Sequence, residues 1–501
     1  MSPHWKSIAA VTILGLVVAA PARAALTISS QSTQGVDCAS DVCTATAKNA
    51  VLNVGDLTNL LAGSDLSVES GKLAKDIVVA ADLHLTSANM LTLDSVRAIL
   101  VDNPIFVDGT GGLALKFNAN RENGDLRFGL QGQVTFSNTS APLAINGKSY
   151  ALIDSVAALA SGAAGHPSGF FALANDYDAS ADGVYSNAPV PKFKGNLEGL
   201  GHTISNLSIN DQSRGAVGLI GVQTAGVVRD IRLANVTVIG GEAVRGGALV
   251  GVAEGAILNS VASGTVTLGK RSYPGGLAGL NLNDIDRCHA DVITTGGARS
   301  IVGGLVGFNV GPHATINRSS SAGNVVAQTG TLAGGLAGAN SGRIWESFAT
   351  GNTTGGDRAI VGGLIGYNAG GNFGRIIASY ETGSVFGAAN SAVGGLAGFT
   401  SGTILESYST GKVSGKTKGG FLGYDGTDMG NFTSYWDRDS SGIHNPGRGA
   451  GNIVNDPGIT GLTTAQFQAG LPANFDPRIW KESPGVNGGL PYLKENPPQQ
   501  H

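Results

Sequence analysis

The sequence predicts an all-β fold: a right-handed parallel β-helix (solenoid) with a β-rich N-terminal region and a small C-terminal cap. Three observations support this prediction. One short motif recurs eight times at steps of 25 to 32 residues, and a period in that range is typical of solenoids. Glycine supplies 78 of the 501 residues, enough for a tight turn at nearly every corner of a coil. Inside the array, apolar residues do not recur at the 3.6-residue period of a helix.

The motif is built around a Gly-Gly-Leu core. Its clearest copies are GGLAGLN from Gly275, GGLVGFN from Gly303, GGLAGAN from Gly334, GGLIGYN from Gly362 and GGLAGFT from Gly394, with weaker copies from Gly218, Gly247 and Gly419. A single repeat is too short to bury enough apolar surface to fold alone, so neighbouring repeats must stack through backbone ladders and shared apolar layers. We therefore expect the motif leucines to form a buried column: Leu249, Leu277, Leu305, Leu336, Leu364 and Leu396.

The first 24 residues read as a signal peptide that directs export. Lys6 and the amino terminus supply positive charge, Ile8 to Ala20 is apolar, and Ala22-Arg23-Ala24 is a small-x-small cleavage site. An apolar run of that length is too short to span a bilayer, and the rest of the chain contains no longer run. The sequence therefore predicts a secreted or cell-surface protein without a transmembrane segment in the mature chain.

The mature chain divides into four predicted parts. Residues 25–150 form a β-rich N-terminal region or cap without the repeat, 151–191 a connector, 192–440 the repeat β-helix, and 441–501 a C-terminal cap and tail. Asn53 to Leu61 is a short helix candidate that opens on a capping residue and could close one end of the solenoid.

The three cysteines have different predicted roles. Cys38 and Cys43 lie close together in a chain expected to be exported, which favours a disulfide; a metal site would need more ligands than this segment offers. Cys288 occupies the slot that other copies fill with serine, so we expect a buried structural thiol. The equivalent serines are Ser260, Ser319, Ser347, Ser379 and Ser407.

Three columns of equivalent positions are candidates for function. Asn281, Asn309, Asn340 and Asn368 share one turn position, which predicts an asparagine ladder, with calcium or sugar binding as the alternative. A second column, of mixed polarity, is predicted to face water and to place Arg318 beside Glu346 as an ion pair; its members are Asn259, Arg287, Arg318, Glu346, Ala378 and Glu406. The third column is aromatic and could be interior packing or a ligand-stacking platform for sugars: Phe348, Tyr380, Tyr408 and Tyr435.

The repeat resembles the GLUG motif of large bacterial surface and secreted proteins, over about Gly215 to Trp436. The lead-in Phe193 to Ile209 resembles the entry coil of such arrays, and Ser434 to Gly442 and Gly461 to Pro472 resemble their exit. Chains with this layout often belong to filamentous-haemagglutinin-like exoproteins. The resemblance implies a β-helix of the adhesin type.

Several sequence features bear on whether the protein is an enzyme. Glycoside hydrolysis needs two carboxylates on one face, and the close pairs Asp425/Asp428 and Asp437/Asp439 lie in glycine-rich turns, where Asp is common for conformational reasons. Gly201-His202 resembles a glycosidase pair but lacks the expected acidic and basic partners. We therefore predict no catalytic residues, no cofactor and no metal.

The predicted function is surface interaction of the adhesin type. The predicted partner is a surface glycan or a protein receptor. The net charge of −4 and the lack of a basic run make nucleic acid an unexpected partner. The alternatives are a polysaccharide lyase or hydrolase on the same fold, and a carbohydrate-binding module that uses the aromatic column.

Overall fold

The computed structural model describes residues 24–118, 124–370, 374–427 and 432–498. Over these residues the chain forms a β-solenoid in which short parallel strands pair in register from coil to coil. The predicted parallel β-helix is confirmed. Apart from Ala24, the predicted signal peptide lies outside the described residues, as do Asp428 and the last three residues.

Residues 25–145 carry no copy of the repeat and nevertheless form parallel coils. One face is a five-stranded sheet with the order Asn49–Asn53, Ala25–Ser29, Asp76–Val79, Ile99–Val101, Leu126–Phe128. The other faces are built from Leu83–Leu85, Ile105–Val107 and Val134–Phe136, and from Val42–Ala45, Leu66–Glu69, Leu91–Asp94, Leu113–Lys116 and Leu143–Ile145. Simple alternation replaces the repeat here, because pairs such as Leu83 and Leu85 bury every second side chain.

A helix covers the open end of these N-terminal coils. Strand Asn49–Asn53 is the outermost strand of its sheet, and helix α1 (Val54–Gly63) follows it directly. The Asn53 side chain accepts hydrogen bonds from the N–H groups of residues 55 and 56, which caps the helix. Leu57 and Leu61 are buried in the core of the coils. The predicted capping helix is therefore present.

The predicted disulfide lies in a hairpin beside these coils. Strands Val36–Ala39 and Val42–Ala45 pair antiparallel with Cys38 opposite Cys43. The two Cα atoms are 4.0 Å apart and the sulfur atoms are bonded. The disulfide prediction is confirmed.

The segment expected to be a connector takes part in the solenoid. A short helix, α2 (Gly71–Ala74), belongs to the N-terminal coils. In the connector, strand Lys148–Ile153 leads into helix α3 (Val156–Gly165). Strand Phe170–Leu173 then pairs in parallel with both Lys148–Ile153 and Asn196–Glu198. Glycine, aspartate and proline in this segment mark turns between paired strands. The further elements of the segment are Tyr177–Asp178, a 3-10 turn at Ala179–Asp182, and Val184–Tyr185.

The Gly-Gly-Leu motifs enter a nine-stranded parallel sheet, one strand per coil. Its strands are Val190–Phe193, Ile220–Gln223, Val250–Ala253, Ala278–Asn281, Val306–Asn309, Ala337–Asn340, Ile365–Asn368, Ala397–Thr400 and Leu422–Asp425. The six motif leucines are fully buried. Each donates its backbone N–H to the motif residue of the next coil; Leu336, for example, lies 2.9 Å from the Leu364 carbonyl oxygen.

Three further sets of strands complete the coils of the array. The first set is Asn196–Glu198, Val227–Arg229, Ala256–Leu258, Asp284–Asp286, Thr315–Asn317, Arg343–Trp345, Arg375–Ile377, Thr403–Ser409 and Phe432–Asp437. The repeat isoleucines lie in the six strands from Ala256–Leu258 to Thr403–Ser409. Next along the chain come Thr203–Ser205, Ser208–Asp211, Arg232–Gly240, Val261–Leu268, His289–Gly296, Ser320–Ser321, Val325–Ala327, Phe348–Ala349, Thr353–Gly355, Tyr380–Glu381, Val385–Gly387 and Val413–Ser414. Short strands precede each motif: Ala216–Val217, Arg245–Gly246, Tyr273–Pro274, Ile301–Gly303, Leu332–Gly334, Ile360–Gly362, Ala392–Gly394 and Thr417–Gly419.

The serines at equivalent positions form a ladder between the isoleucine-containing strands and the strands that follow them, as Ser319 does between Thr315–Asn317 and Ser320–Ser321. The Ser347 hydroxyl accepts a hydrogen bond from the Ser319 N–H at 3.1 Å, and the Cys288 N–H donates to the Ser319 hydroxyl at 3.0 Å. Cys288 is buried, and burial raises the pKa of its thiol. It occupies the serine slot as a packed thiol.

After the array, residues 459–498, here called the C-terminal segment, run back along the outside of the coils. It contains strand Ile459–Leu462, helix α4 (Thr464–Phe467), a 3-10 turn at Asn487–Gly489, and the antiparallel strands Trp480–Lys481 and Tyr492–Leu493. Asn496, near its end, donates to the Ser319 and Glu346 carbonyl oxygens. Within the described ranges, no helix is both long enough and apolar enough to cross a membrane.

Candidate binding surface

The shared asparagine position forms a continuous ladder inside the array. The side-chain amides of Asn281, Asn309 and Asn340 each donate to the amide oxygen of the next asparagine at 2.8 Å, and Asn368 donates to the Thr400 hydroxyl at 3.1 Å. All five side chains are fully buried. Because its amide groups bond to one another under the surface, this column holds the coils together and offers nothing to a calcium ion or a sugar outside.

The column from Phe348 to Tyr435, for which packing and ligand stacking were both possible, points outward and is covered by the C-terminal segment. Phe348 and Tyr380 stack with centroids 4.8 Å apart, and Tyr380 and Tyr408 at 5.0 Å. These rings pack against C-terminal apolar side chains rather than against the interior of the coils: Phe467, Phe475, Trp480 and Leu493.

Hydrogen bonds fix the C-terminal segment on this column. Tyr408 Oη donates to the Pro491 carbonyl oxygen at 2.5 Å, and Tyr435 Oη donates to that of Ala473 at 2.7 Å. All four rings of the column are buried. In this arrangement they pack protein against protein and leave no platform for a sugar.

A second aromatic column, which sequence reasoning missed, lies on the outer face of the nine-stranded sheet. We call it the exposed aromatic column; its in-register positions are Leu280, Phe308, Ala339, Tyr367, Phe399 and Tyr424. Tyr367 and Phe399 stack at 5.1 Å, and Phe399 and Tyr424 at 5.4 Å, with planes 8° apart in both pairs. Tyr424 is 44% exposed, and the rings of Phe308, Tyr367 and Phe399 are half-buried.

The signal for this column was present in the motif. It is the letter before the final Asn or Thr of the motif. Successive side chains of a strand point to opposite faces, and because the Asn or Thr is buried, the residue before it points out. Since in-register parallel strands stack the ring faces on one another, mainly the ring edges are open to solvent.

The column of mixed polarity is only partly open, and one prediction about it is wrong. Arg318 does not pair with Glu346; its guanidinium bonds to Asp286 of the preceding coil, with atoms 2.8 Å apart. Asp286 also binds Arg287. The Asp286 carboxylate lies in the strand, one step before the turn, and so reaches both arginines. Glu406 accepts a hydrogen bond from the Asp476 N–H of the C-terminal segment, so this face is not wholly solvated.

The carboxylates considered for catalysis hold the exit turns. Asp437 accepts hydrogen bonds from the Asp439 N–H at 2.8 Å and from the Thr464 hydroxyl at 2.6 Å, and Asp439 accepts from the Thr464 N–H at 3.0 Å. Asp425 accepts from the N–H and hydroxyl of Thr427. Its predicted neighbour, Asp428, lies outside the described residues.

An acidic cluster absent from the sequence analysis lies where the N-terminal coils meet the array. Arg229 binds Asp125 at 2.8 Å, Asp230 at 2.6 Å and Glu198 at 3.2 Å. Burial, followed by the neighbouring Asp230 carboxylate, raises the pKa of Glu198 well above its usual range. Glu198 and Asp230 are 2% and 4% exposed. They lie beneath the junction and do not line an open groove.

His202, the other candidate from the sequence, joins the same two parts of the molecule. Its Nε2 lies 2.7 Å from the Val134 carbonyl oxygen and its Nδ1 3.2 Å from the Asp176 carboxylate. The ring is buried. Throughout the part of the chain that the structure describes, no three His, Cys, Asp or Glu side chains come together in a way that could hold a metal ion.

Parts of the chain are similar to known proteins. No protein-family model matches the chain. A stretch of 88 residues is 46% identical to halomucin of Haloquadratum walsbyi; it covers 17% of this chain and about 1% of the length of halomucin. A solved structure described as a "putative immunoglobulin A1 protease" from Bacteroides ovatus aligns with 70% of this chain and 93% of its own, at 14% identity and a TM-score of 0.31.

Of the aromatic and asparagine columns within the described residues, only the exposed aromatic column remains open on the outside of the array. The leucine, serine and asparagine columns are interior, and the Phe348 to Tyr435 column is covered by the chain itself. The exposed aromatic column crosses six coils, about 24 Å at a coil spacing of about 4.8 Å. It is the candidate binding surface.

Proposed function

We propose that this protein is an exported surface-interaction protein of the adhesin type, which binds a protein receptor or a glycan on a surface without changing it chemically. The exposed aromatic column is the observation that carries the proposal. The predicted signal peptide of the chain supports export, and the resemblance of the repeat to GLUG-repeat proteins supports an adhesin role.

The geometry of the column favours many weak contacts over one strong site. One equivalent position recurs in each of six coils, and four of the six carry an aromatic ring. A partner that lies along the axis therefore meets a ring edge at several steps, including the three consecutive coils of Tyr367, Phe399 and Tyr424. Linked contacts of this kind can raise overall affinity by about 10²–10⁴ without any single strong contact. Aromatic side chains are enriched at such contact surfaces because they bury a large area at low cost in conformational entropy.

The test compares the removal of two rings from the exposed aromatic column with the removal of one ring from another face. Tyr367→Ser together with Phe399→Ser removes the centre of the exposed aromatic column, whereas Phe386→Ser removes a ring that is 49% exposed on another face. We expect the double variant to lose about tenfold or more in binding to receptor-bearing cells or biofilm, a loss of about 1.4 kcal/mol per factor of ten. The Phe386 variant should bind as the wild type does.

Two outcomes would contradict the proposal. Equal loss in the control variant would mean that the column is not the contact. New reducing ends or unsaturated products from neutral and acidic polysaccharides, abolished by Asp437→Asn or Asp425→Asn, would show an enzyme.

A further inference from the structure

Four basic side chains converge at one corner of the array although they are up to 88 positions apart in the chain. We call Lys270, Arg271, Arg299 and Arg358 the basic ridge; all four are exposed. The corner is stacked in register, since the Arg271 N–H donates to the Ala298 carbonyl oxygen and the Arg299 N–H to that of Thr329, both at 3.0 Å. The ridge therefore runs parallel to the solenoid axis.

The backbone at this corner does not favour arginine. Arg271, Arg299 and Arg358 have φ of 57°, 61° and 55°, in the left-handed region that costs residues with a Cβ about 1–2 kcal/mol. Other coils place Ala243, Gly330 and Asn390 at the same corner, with φ of 59°, 67° and 59°; of these, Gly and Asn adopt that conformation at lower cost than Arg does. Three coils therefore have arginine at a position where glycine or asparagine would adopt the turn conformation at a lower conformational free energy.

The positive charge of the ridge is incompletely neutralised. Within the described residues, Arg271 and Arg299 form no ion pair, while Lys270 lies 3.5 Å from Glu242 and Arg358 3.1 Å from its chain neighbour Asp357. This excess of positive charge stands on a protein whose net charge is −4. The side chains line a groove of about 600 Å³, together with Glu242, Ala298, Thr329 and Gly330.

The shape and lining of the groove restrict the ligand. Guanidinium groups bind carboxylates and sulfates with two parallel hydrogen bonds, and here they recur along a line at intervals of about one and two coils, about 5 and 10 Å. Proteins that bind single-stranded nucleic acid combine a basic groove with aromatic rings on which the bases stack, and the groove lining contains no aromatic ring. A single row of charges suits a chain that carries one anionic group after another.

We propose that the basic ridge binds an anionic polysaccharide, whose carboxylate or sulfate groups pair with Arg271, Arg299 and Arg358 as the chain lies along the axis. The site uses none of the residues of the exposed aromatic column. It therefore stands or falls separately from the function proposed above.

The test uses substitutions that the corner already tolerates. Arg271→Asn with Arg299→Asn removes two charges and leaves a residue type that Asn390 shows to fit this turn. Arg343→Asn with Arg375→Asn is the matched control, because these exposed arginines are paired in register on another face. Binding of the full mature chain to heparin, polygalacturonate, neutral dextran, single-stranded DNA and anionic phospholipid vesicles is measured at about 50 and about 200 mM NaCl, a range over which ionic contacts weaken.

We expect the wild type and the control to bind heparin or polygalacturonate, and the ridge variant to bind at least thirtyfold more weakly at low salt. We expect binding to weaken at the higher salt and dextran not to bind. The proposal would be overturned by absence of binding to both polyanionic sugars, by equal loss in the control variant, or by a wild type that binds DNA or vesicles more tightly than either sugar through the same two arginines. Since Phe399→Ser leaves the ridge intact, its effect on receptor binding separates this result from the proposed function.

Discussion

Replacement of Asn340 by alanine tests whether the buried amide ladder holds the coils together. Asn340 accepts a hydrogen bond from Asn309 and donates one to Asn368, both at 2.8 Å, and its amide oxygen also accepts from the Gly342 N–H at 3.1 Å. The side chain is fully buried. Asn340→Ala therefore removes three hydrogen bonds at a site that water does not reach.

The expected cost follows from which atoms lose their partners. Asn309 keeps the Arg343 carbonyl oxygen at 3.3 Å as an acceptor, so its amide is not orphaned. The Asn368 amide oxygen and the Gly342 N–H each lose a partner, at about 1–3 kcal/mol per buried group. We expect the free energy of unfolding to fall by about 3–5 kcal/mol.

Thr400→Val is the comparison, since Thr400 ends the ladder. Thr400→Val removes the contact from Asn368, which keeps the Gly374 carbonyl oxygen, and the contacts of the Thr400 hydroxyl with the N–H and the carbonyl oxygen of Gly402. We expect a cost of about 1–2 kcal/mol. Urea unfolding followed by circular dichroism gives the totals, and hydrogen exchange of the flanking coils shows where stability is lost, which matters because solenoids can unfold in parts. A cost below about 1 kcal/mol for Asn340→Ala, or equal costs for both variants, would refute the reasoning.

Two further predictions concern buried groups inside the coils. Glu381 is fully buried; burial raises the pKa of its carboxyl well above its usual range, and only its Oε1 has a hydrogen-bond partner. Because the folded-state pKa exceeds the unfolded one, the wild type should lose up to about 1.4 kcal/mol per pH unit as pH rises from the unfolded pKa toward the folded one. Glu381→Gln should therefore unfold at higher urea than the wild type at pH 7 but not at pH 4, and an advantage that does not change with pH would contradict this. Cys288→Ser restores the residue type of its column and should change the free energy of unfolding by less than about 1 kcal/mol. The wild-type Cys288 thiol should not react with a thiol reagent until urea unfolds the chain. Rapid labelling of the folded protein would contradict a packed thiol.

Much of the architecture could be predicted because the repeat itself encodes it. The Leu, Ser and Asn positions each form an interior ladder, so their periodic recurrence states which residues stack. The disulfide and helix α1 depend on local signals, two cysteines in a tight hairpin and an Asn cap, and these signals act over a few residues. Such features need no knowledge of the tertiary structure.

Other features depend on contacts that the period does not describe. The N-terminal coils need only alternating apolar residues, as at Leu83 and Leu85, and so form a solenoid without a motif. The pairing of Arg318 with Asp286 depends on side-chain direction at a turn. The basic ridge joins residues from separate coils whose corner positions are otherwise filled by Ala243, Gly330 and Asn390. The basic ridge does not correspond to a run of charged residues in the sequence, so the sequence alone did not predict it.

The two aromatic columns of the array provide a comparison within one molecule. Both arise in the same way, since in-register strands place a ring of each coil on the ring of the next, at about 5 Å in each case. The C-terminal segment returns along the solenoid to bury one column, and Tyr408 and Tyr435 give it hydrogen bonds. The described part of the chain supplies no such cover for Tyr367, Phe399 and Tyr424. Edges of stacked rings that stay open to water forgo the burial that drives aromatic side chains inward. A partner that lies along these coils would recover that burial, which is why the exposed column, and not the covered one, is the surface on which the proposed function should be tested.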